Sequence, residues 1–340
     1  MMKSKIRKVI NKGDLSEIEI MEMMNYIMEG KATNMQISAF LVALRMKGET
    51  IKEITGCARI MRDKAENIQP NLEYCIDTCG TGGDRANTFN ISTAVAFVAS
   101  ACGVFVAKHG NRLVSSKSGS ADVLESLGIN INIKPNEVKK CIEEVGIGFM
   151  FAPTFHKSMK YVAPVRKELG VRTIFNILGV LTNPANTKGQ IIGIFDEKLT
   201  DMVANVLNNL QLEKAMVVHG MDGLDEITTT DKTKVSELKD GKVLNYYISP
   251  EEYGIALSNK KDLIGGDSVE NAQIIIDIFS GEISAKTDIV IFNSAAALYV
   301  GKVVKDIDEG ISMAKEIIRS GKATDKLEEL KKYTNQFKFV

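Results

Sequence analysis

Residues 77–120 read DTCGTGGDRANTFNISTAVAFVASACGVFVAKHGNRLVSSKSGS, and this stretch decides the fold. The apolar run Tyr74–Thr78 is a short strand that ends in a glycine-rich turn, Ser92–Cys102 is a helix, and Val104–Ala107 is again a strand. Apolar strands alternating with helices build a largely parallel α/β sheet. Residues 86–107 carry no formal charge, which over this length could suggest a membrane span. Asn87, Thr88, Asn90, Ser92 and Thr93 crowd the first third, however, and Gly103 interrupts the run. A buried helix followed by a buried strand explains it better.

Working toward the C-terminus, Ala121–Leu127 predicts a helix, Ile129–Ile133 a strand, Glu137–Val145 a helix and Phe149–Met150 a short strand. Residues 163–185 contain Pro164, Gly170, Gly179 and Pro184. They predict a connecting region able to hinge two domains rather than one continuous helix. Leu199–Leu210 reads as helix, Ala215–His219 as a buried strand, and Asp240-Gly241 as a tight hairpin turn. Ser249-Pro250 opens a helix, and helical patterns follow over 268–280, 288–302 and 306–319.

Working toward the N-terminus, residues 1–70 read as helices only. Ser16 with Glu19, Thr33 with Gln36, and Thr50 with Glu53 are capping boxes, in which side chains satisfy otherwise unpaired backbone groups. Gly30 and Gly48 stand where helices should stop. The expected fold is therefore α/β. A small helical N-terminal domain, 1–70, precedes a large α/β domain, 71–340, whose central, mostly parallel sheet is flanked by helices.

Charge and cysteine usage narrow the function. Lys plus Arg and Asp plus Glu number 43 each in 340 residues, so there is none of the basic excess of a nucleic-acid or membrane-surface binder. The five cysteines show no metal-ligand spacing and read as free structural thiols. That usage, with no apolar leader among the first residues, predicts a cytoplasmic protein.

The chemistry concentrates in loops. Gly80-Thr81-Gly82-Gly83-Asp84 follows a strand but lacks the third glycine of a dinucleotide fingerprint and the Gly-Lys-Ser/Thr of a P-loop. What it offers is a backbone able to approach a phosphate closely. Asn90-Ile91-Ser92-Thr93 opens a helix whose N-terminal dipole and hydroxyls suit an anion. Lys108-His109-Gly110-Asn111-Arg112 ends a strand, where ligands of open α/β sheets collect. Ser115-Ser116-Lys117-Ser118-Gly119-Ser120 adds hydroxyls and a cation. Singly, each is a solvated loop or an ordinary cap; together they predict a phosphorylated sugar. Asp222 and the pair Asp225-Glu226 follow a buried strand. A carboxylate pair beside anion loops suits Mg²⁺, a hard ion that shares its coordination with substrate phosphates.

These motifs together resemble the anthranilate phosphoribosyltransferase family. The matching stretches are GTGGD (80–84), NTFNIST (87–93), KHGNR (108–112), SSKSGS (115–120), VAPVRKELGVRTIFN (162–176), LTNPA (181–185) and HGMDGLDE (219–226). The resemblance implies a homodimer joined through the helical domains, with part of 163–190 returning to that domain. It implies transfer of phosphoribosyl from phosphoribosyl pyrophosphate (PRPP) to the amine of anthranilate. By motif, Gly80, Gly83, Asp84, Thr88, Asn90, Ser92, Thr93, Lys108, Ser116 and Ser120 would hold PRPP. Ser92, Asp225 and Glu226 would hold Mg²⁺, and Gly80, Asn111 and Arg166 would meet anthranilate. No general base is implied, and His109 and His156 read as positioning residues. Val180, Phe155 and Lys157 depart from residues common in the family's matching stretches. A pyrimidine nucleoside phosphorylase, or a non-catalytic relative that binds nucleic acid, are the competing readings; the carboxylate pair speaks against the first and the balanced charge against the second.

Overall fold

The computed structural model describes residues 2–83, 86–112 and 118–337. The N-terminal helices are α1 (Met2–Ile10), α2 (Glu17–Met28), α3 (Asn34–Lys47) and α4 (Ile51–Asp63). All three expected capping boxes form, each Ser or Thr hydroxyl accepting from the third helical N–H while that residue's side chain reaches back.

The chain then alternates: β1 (Ile76–Gly80), α5 (Ile91–Ala101), β2 (Val106–Gly110), α6 (Ser120–Ser126), α7 (Pro135–Val145), β3 (Ile147–Phe151) and α8 (Ala152–Phe155). Residues 163–185 are broken into the short helices α9 (Ala163–Leu169) and α10 (Phe175–Leu178) with a 3₁₀ turn after them. Next come β4 (Gly189–Gly193), α11 (Thr200–Asn209), β5 (Lys214–Gly220), β6 (Thr233–Lys239) and β7 (Lys242–Ile248). Four helices close the chain: α12 (Ser268–Phe279), α13 (Ala285–Val300), α14 (Ile307–Arg319) and α15 (Lys322–Asn335).

The seven strands form one sheet in the order β3-β2-β1-β4-β5-β6-β7. Pairing is parallel from β3 to β5 and antiparallel through β6 and β7. The β6–β7 turn places Asp240 and Gly241 at positive φ, the two-residue hairpin that the sequence signals. Alternate strand residues face opposite cores. Ile76, Val106, Met216 and Val218 pack under α5 and α12–α15. Cys79, Ile192, Ala215 and Val217 face α11, the N-terminal helices and the returning segment 162–181. Among the described residues no helix is long and apolar enough to cross a membrane; residues 86–107 divide between α5 and β2.

Two expectations are corrected, and two elements are unforeseen. Ile129–Ile133 is not a strand, although Ile129, Ile131 and Ile133 are all buried. Its backbone is satisfied elsewhere: the Asn130 N–H donates to Thr334 Oγ1 of α15, and the Asn132 N–H donates to Asn130 Oδ1. Residues 250–253 make only a 3₁₀ turn. The sequence reading also misses β4, the strand beside β1, and α15.

The chain runs from β1 outward to β2 and β3, then returns to the other side of β1 through β4 and β5. The direction of winding therefore reverses between β1 and β4. The crevice at the carboxyl ends of those two strands is where an open α/β sheet leaves room for a ligand.

Candidate active site

Gly80 and Gly193 end β1 and β4 and stand side by side in register. Beyond them the turns are laced together: the Thr81 N–H donates to Gly193 O at 2.9 Å, and the Phe195 N–H donates to Thr81 Oγ1 at 3.1 Å. Gly82 and Gly83 then take φ of 65° and 77°, a conformation that other residues adopt only with strain, so the loop turns back over the strand ends. Asp84 and Ser116, both expected to hold PRPP, lie outside the described residues.

Across this floor runs the loop after β5. A β-carbon at Gly193 would lie 1.4 Å from Asp225 O, and one at Gly80 would lie 2.7 Å from Asp225 Oδ2. The two glycines therefore let the acidic loop rest directly on the strand ends. The Gly82 N–H donates to Asp225 Oδ2 at 2.6 Å. Asp225 is buried and Glu226 half-buried. Asp222 does different work. Its Oδ2 accepts from the hydroxyls of Thr228 (2.8 Å) and Thr230, and its Oδ1 accepts the Leu224 N–H at 3.2 Å. It shapes the turn that delivers Asp225 and Glu226.

Lys108, at the middle of β2, is buried and points to the same crevice. Its Nζ donates to Thr78 O at 2.5 Å and to Ser92 Oγ at 3.3 Å. Burial pushes the ammonium below its usual pKa, while the charges of Asp77 and Glu226 act in the opposite direction. Burial raises the Asp77 carboxyl, opposed by Lys108 and by the Asn183 amide at 2.8 Å. Asn183 Nδ2 also donates to Ala107 O, which ties the LTNPA segment to β1 and β2.

Around this centre, Ser92 and Thr93 stand on the first turn of α5. Thr93 is buried, and its Oγ1 has no hydrogen-bond partner among the described residues. Thr88 pairs with Ile264 in an isolated β-bridge. Asn90 does not cap α5 with its side chain; its Nδ2 donates to Ser118 O at 3.3 Å. Asn111, exposed at the end of β2, accepts at its carbonyl from Ser120 Oγ at 3.4 Å. Arg112 is committed to Asp122 and Glu125 of α6.

Arg166 arrives from another part of the fold, on α9, which packs against α3. Its guanidinium lies 5.5 Å from the Phe175 ring centroid, and burial alone lowers its pKa. Among the described residues no carboxylate lies within ion-pair distance of it. A half-buried guanidinium in that setting is suited to a planar carboxylate brought by a ligand. Arg172, which motif reading did not single out, links the two parts: it donates to Gly83 O, and its guanidinium sits 4.1 Å from the Phe195 ring centroid.

His109 and His156 are buried with ring centroids 5.0 Å apart. Burial pushes His109 down to about 3 and His156 to about 4, so both rings are neutral near pH 7. Of the departures from the family pattern, Phe155 is a core residue packed with Ile68, Cys75 and Met150. Lys157 pairs with Glu66 at the surface, and the buried Val180 accepts the Gln190 amide at its carbonyl.

Comparison with known proteins bears on the family and the fold. Residues 3–65 match the helical bundle domain of a glycosyl transferase family, and residues 72–324 match its a/b domain. An anthranilate phosphoribosyltransferase of Acetivibrio thermocellus is 64% identical over 337 residues, covering 99% of this chain and 98% of the relative. The crystal structure of the Thermus thermophilus anthranilate phosphoribosyltransferase superposes with a TM-score of 0.92 at 38% identity, covering 97% of this chain and 99% of that one. The Saccharomyces cerevisiae protein in complex with PRPP and Mg superposes with a TM-score of 0.91 at 26% identity, covering 99% and 98%.

Proposed function

The chain belongs to the anthranilate phosphoribosyltransferase family, and we propose that it transfers 5-phosphoribosyl from PRPP to the amine of anthranilate. The products are N-(5-phosphoribosyl)anthranilate and pyrophosphate. The chain is a pentosyltransferase, and its place is in tryptophan biosynthesis. The observation that carries the reading is the meeting of Lys108 and Ser92 with the Asp225–Glu226 loop at the carboxyl ends of β1 and β4.

That arrangement suits the charge that develops in the reaction. As the bond from ribose C1 to pyrophosphate breaks, positive charge grows on the ribose and negative charge on the leaving group. Lys108 and the N-terminus of α5 stabilise the leaving anion from fixed positions in a partly dry site. Gly80, Gly83, Thr88, Asn90, Ser92, Thr93, Lys108 and Ser120 line the PRPP side, with Asp84 and Ser116 completing the set. Arg166 holds the anthranilate carboxylate, with Asn111 and Gly80 beside the ring. An aromatic amine is neutral near pH 7 and attacks without a strong base; the proton its nitrogen sheds once the C–N bond has formed passes to the departing pyrophosphate or to water. His109 and His156, buried and turned toward the backbone of Gly179 and Thr182, position the chain and take no proton.

The residues present fit Mg²⁺. Two carboxylates and the Ser92 hydroxyl are hard oxygen donors, and the Gly82 N–H fixes the carboxylate of the buried Asp225 over the strand ends. Bound there, the ion would neutralise pyrophosphate charge as a Lewis acid.

Two copies are proposed to join through the helical domains, 1–70 with the returning part of 163–190. In support, Met35, Val42 and Met46 are exposed along one face of α3, and Ile18 of α2 is exposed as well. Five free thiols support a cytoplasmic setting. Pyrimidine phosphorolysis and nucleic-acid binding find no support among the full-length relatives.

The deciding experiment follows anthranilate fluorescence after PRPP is added, with and without Mg²⁺. A Mg²⁺-dependent decay with equimolar pyrophosphate is expected. A folded protein that leaves anthranilate unchanged under these conditions sinks the reading.

A further inference from the structure

One support of the site has no signal in the loop motifs. Asn271, the fourth residue of α12, is 1% exposed and lies 181 residues from Asn90. Its Oδ1 accepts the Gly266 N–H at 2.7 Å, and its Nδ2 donates to Asn90 Oδ1 at 3.0 Å. Asn90 Nδ2 in turn donates to Ser118 O. The three links form a relay with one polarity. A reversed Asn90 carboxamide would set oxygen against the Ser118 carbonyl and nitrogen against the Asn271 amide.

The seam around the relay is close-fitting. The Gly265 N–H donates to Asn87 O at 2.9 Å, and a β-carbon at Gly265 would fall 2.6 Å from the Phe89 nitrogen. Residues 264–271 thus brace the segment 87–90 that leads into the first turn of α5, where Ser92 and Thr93 stand.

We propose that Asn271 is a positioning residue for the phosphoribosyl donor. By fixing the orientation of the Asn90 carboxamide, it sets the entry to α5 and the Ser118 backbone in the geometry that the PRPP phosphates require. Asn271 itself touches no substrate. This inference rests on the phosphoribosyl-transfer reading.

Asn271→Asp separates the relay from the seam. The carboxylate still accepts the Gly266 N–H, but it cannot donate to Asn90. Loss of one buried polar link predicts about a tenfold rise in both the calorimetric Kd and the KM for PRPP. The KM for anthranilate should stay within about twofold of wild type, because α9 and Arg166 lie outside the relay. Combining Asn271→Asp with Asn90→Ala should weaken PRPP binding no further than the stronger single change, since both cut the same link. If Asn271→Asp does not fold, Asn271→Ala carries the same Kd measurement. A folded variant that binds PRPP as wild type does, or single effects that multiply in the double variant, overturns the inference. If wild type turns over PRPP and anthranilate while the variants bind normally, only the role of Asn271 fails. A wild type that transfers nothing removes the functional reading with it.

Discussion

The carbonyl oxygen of Asp225 occupies the space in which any side chain at Gly193 would begin, 1.4 Å from the position of a β-carbon. The neighbour is backbone, so it cannot rotate aside, and Gly80 blocks escape on the β1 side. Gly193→Ala must therefore lift the acidic loop or bend β4. Overpacking of this kind costs about 1–3 kcal/mol. Thermal melting should show that loss, and Mg²⁺-dependent turnover should fall with it. Wild-type melting and turnover together would mean that the loop does not rest on Gly193.

Replacing Asp225 and Glu226 together with alanine tests the carboxylates of the same loop; the Gly82 bond is lost, while the Asp225 backbone keeps its place against Gly193. Removing both carboxylates should reduce Mg²⁺-dependent turnover by roughly a hundredfold or more, the scale on which transition-state charge stabilisation acts. Asp222 remains to shape the turn, so the variant should stay folded. A wild-type rate would end the metal assignment.

Arg166→Ala should mainly raise the KM for anthranilate, because the guanidinium holds a carboxylate that is charged in the ground state as well as in the transition state. A charge-assisted bidentate pair predicts a rise of about tenfold or more. Arg166→Lys should recover only part, since an ammonium lacks the planar fork. The PRPP KM should hold steady. An unchanged anthranilate KM takes Arg166 out of the site.

Met35→Glu with Met46→Glu places two charges on the apolar face of α3. Sedimentation equilibrium should find a dimer for wild type and a monomer, or a dimer weakened by about a hundredfold, for the variant. Wild-type monomer, or an unmoved dimer, removes that face as the interface.

The parts of the fold that are legible in the sequence are those written in contiguous residues. The capping boxes of α2, α3 and α4, the Asp240-Gly241 hairpin and the βαβ unit over β1, α5 and β2 each carry a local signal, and each forms. The strand β4 is hidden for a physical reason. It reads GQIIG, and its end glycines serve close approach rather than strand propensity: Gly189 receives Tyr74, whose hydroxyl would lie 2.6 Å from a β-carbon, and Gly193 receives Asp225. Ile129–Ile133 errs in the opposite way, because its alternating burial comes from leaning on α15 and not from a ladder. Arg172 and Asn271 have no local signature at all; their roles exist only once Gly83 and Asn90 have been brought to them across the fold.

The buried histidine pair gives a prediction in pH. His109 and His156 titrate at about 3 and about 4 in the folded protein, while an unfolded histidine takes up its proton near 6.5. Below pH 6.5 the unfolded chain therefore binds protons that the folded chain refuses, and stability falls as pH falls toward the folded values. The loss should reach about 2 kcal/mol for each histidine by pH 5, before the unfolded chain's carboxylates take up many protons. Urea unfolding midpoints measured from pH 7.5 to 5 should trace this slope in wild type. His156→Phe keeps a ring of similar shape in the buried position between α8 and the returning segment, loses one titrating group, and should flatten the slope by about half. An equal slope in both proteins would mean that His156 is protonated in the folded state, and its place as a neutral positioning residue would be lost.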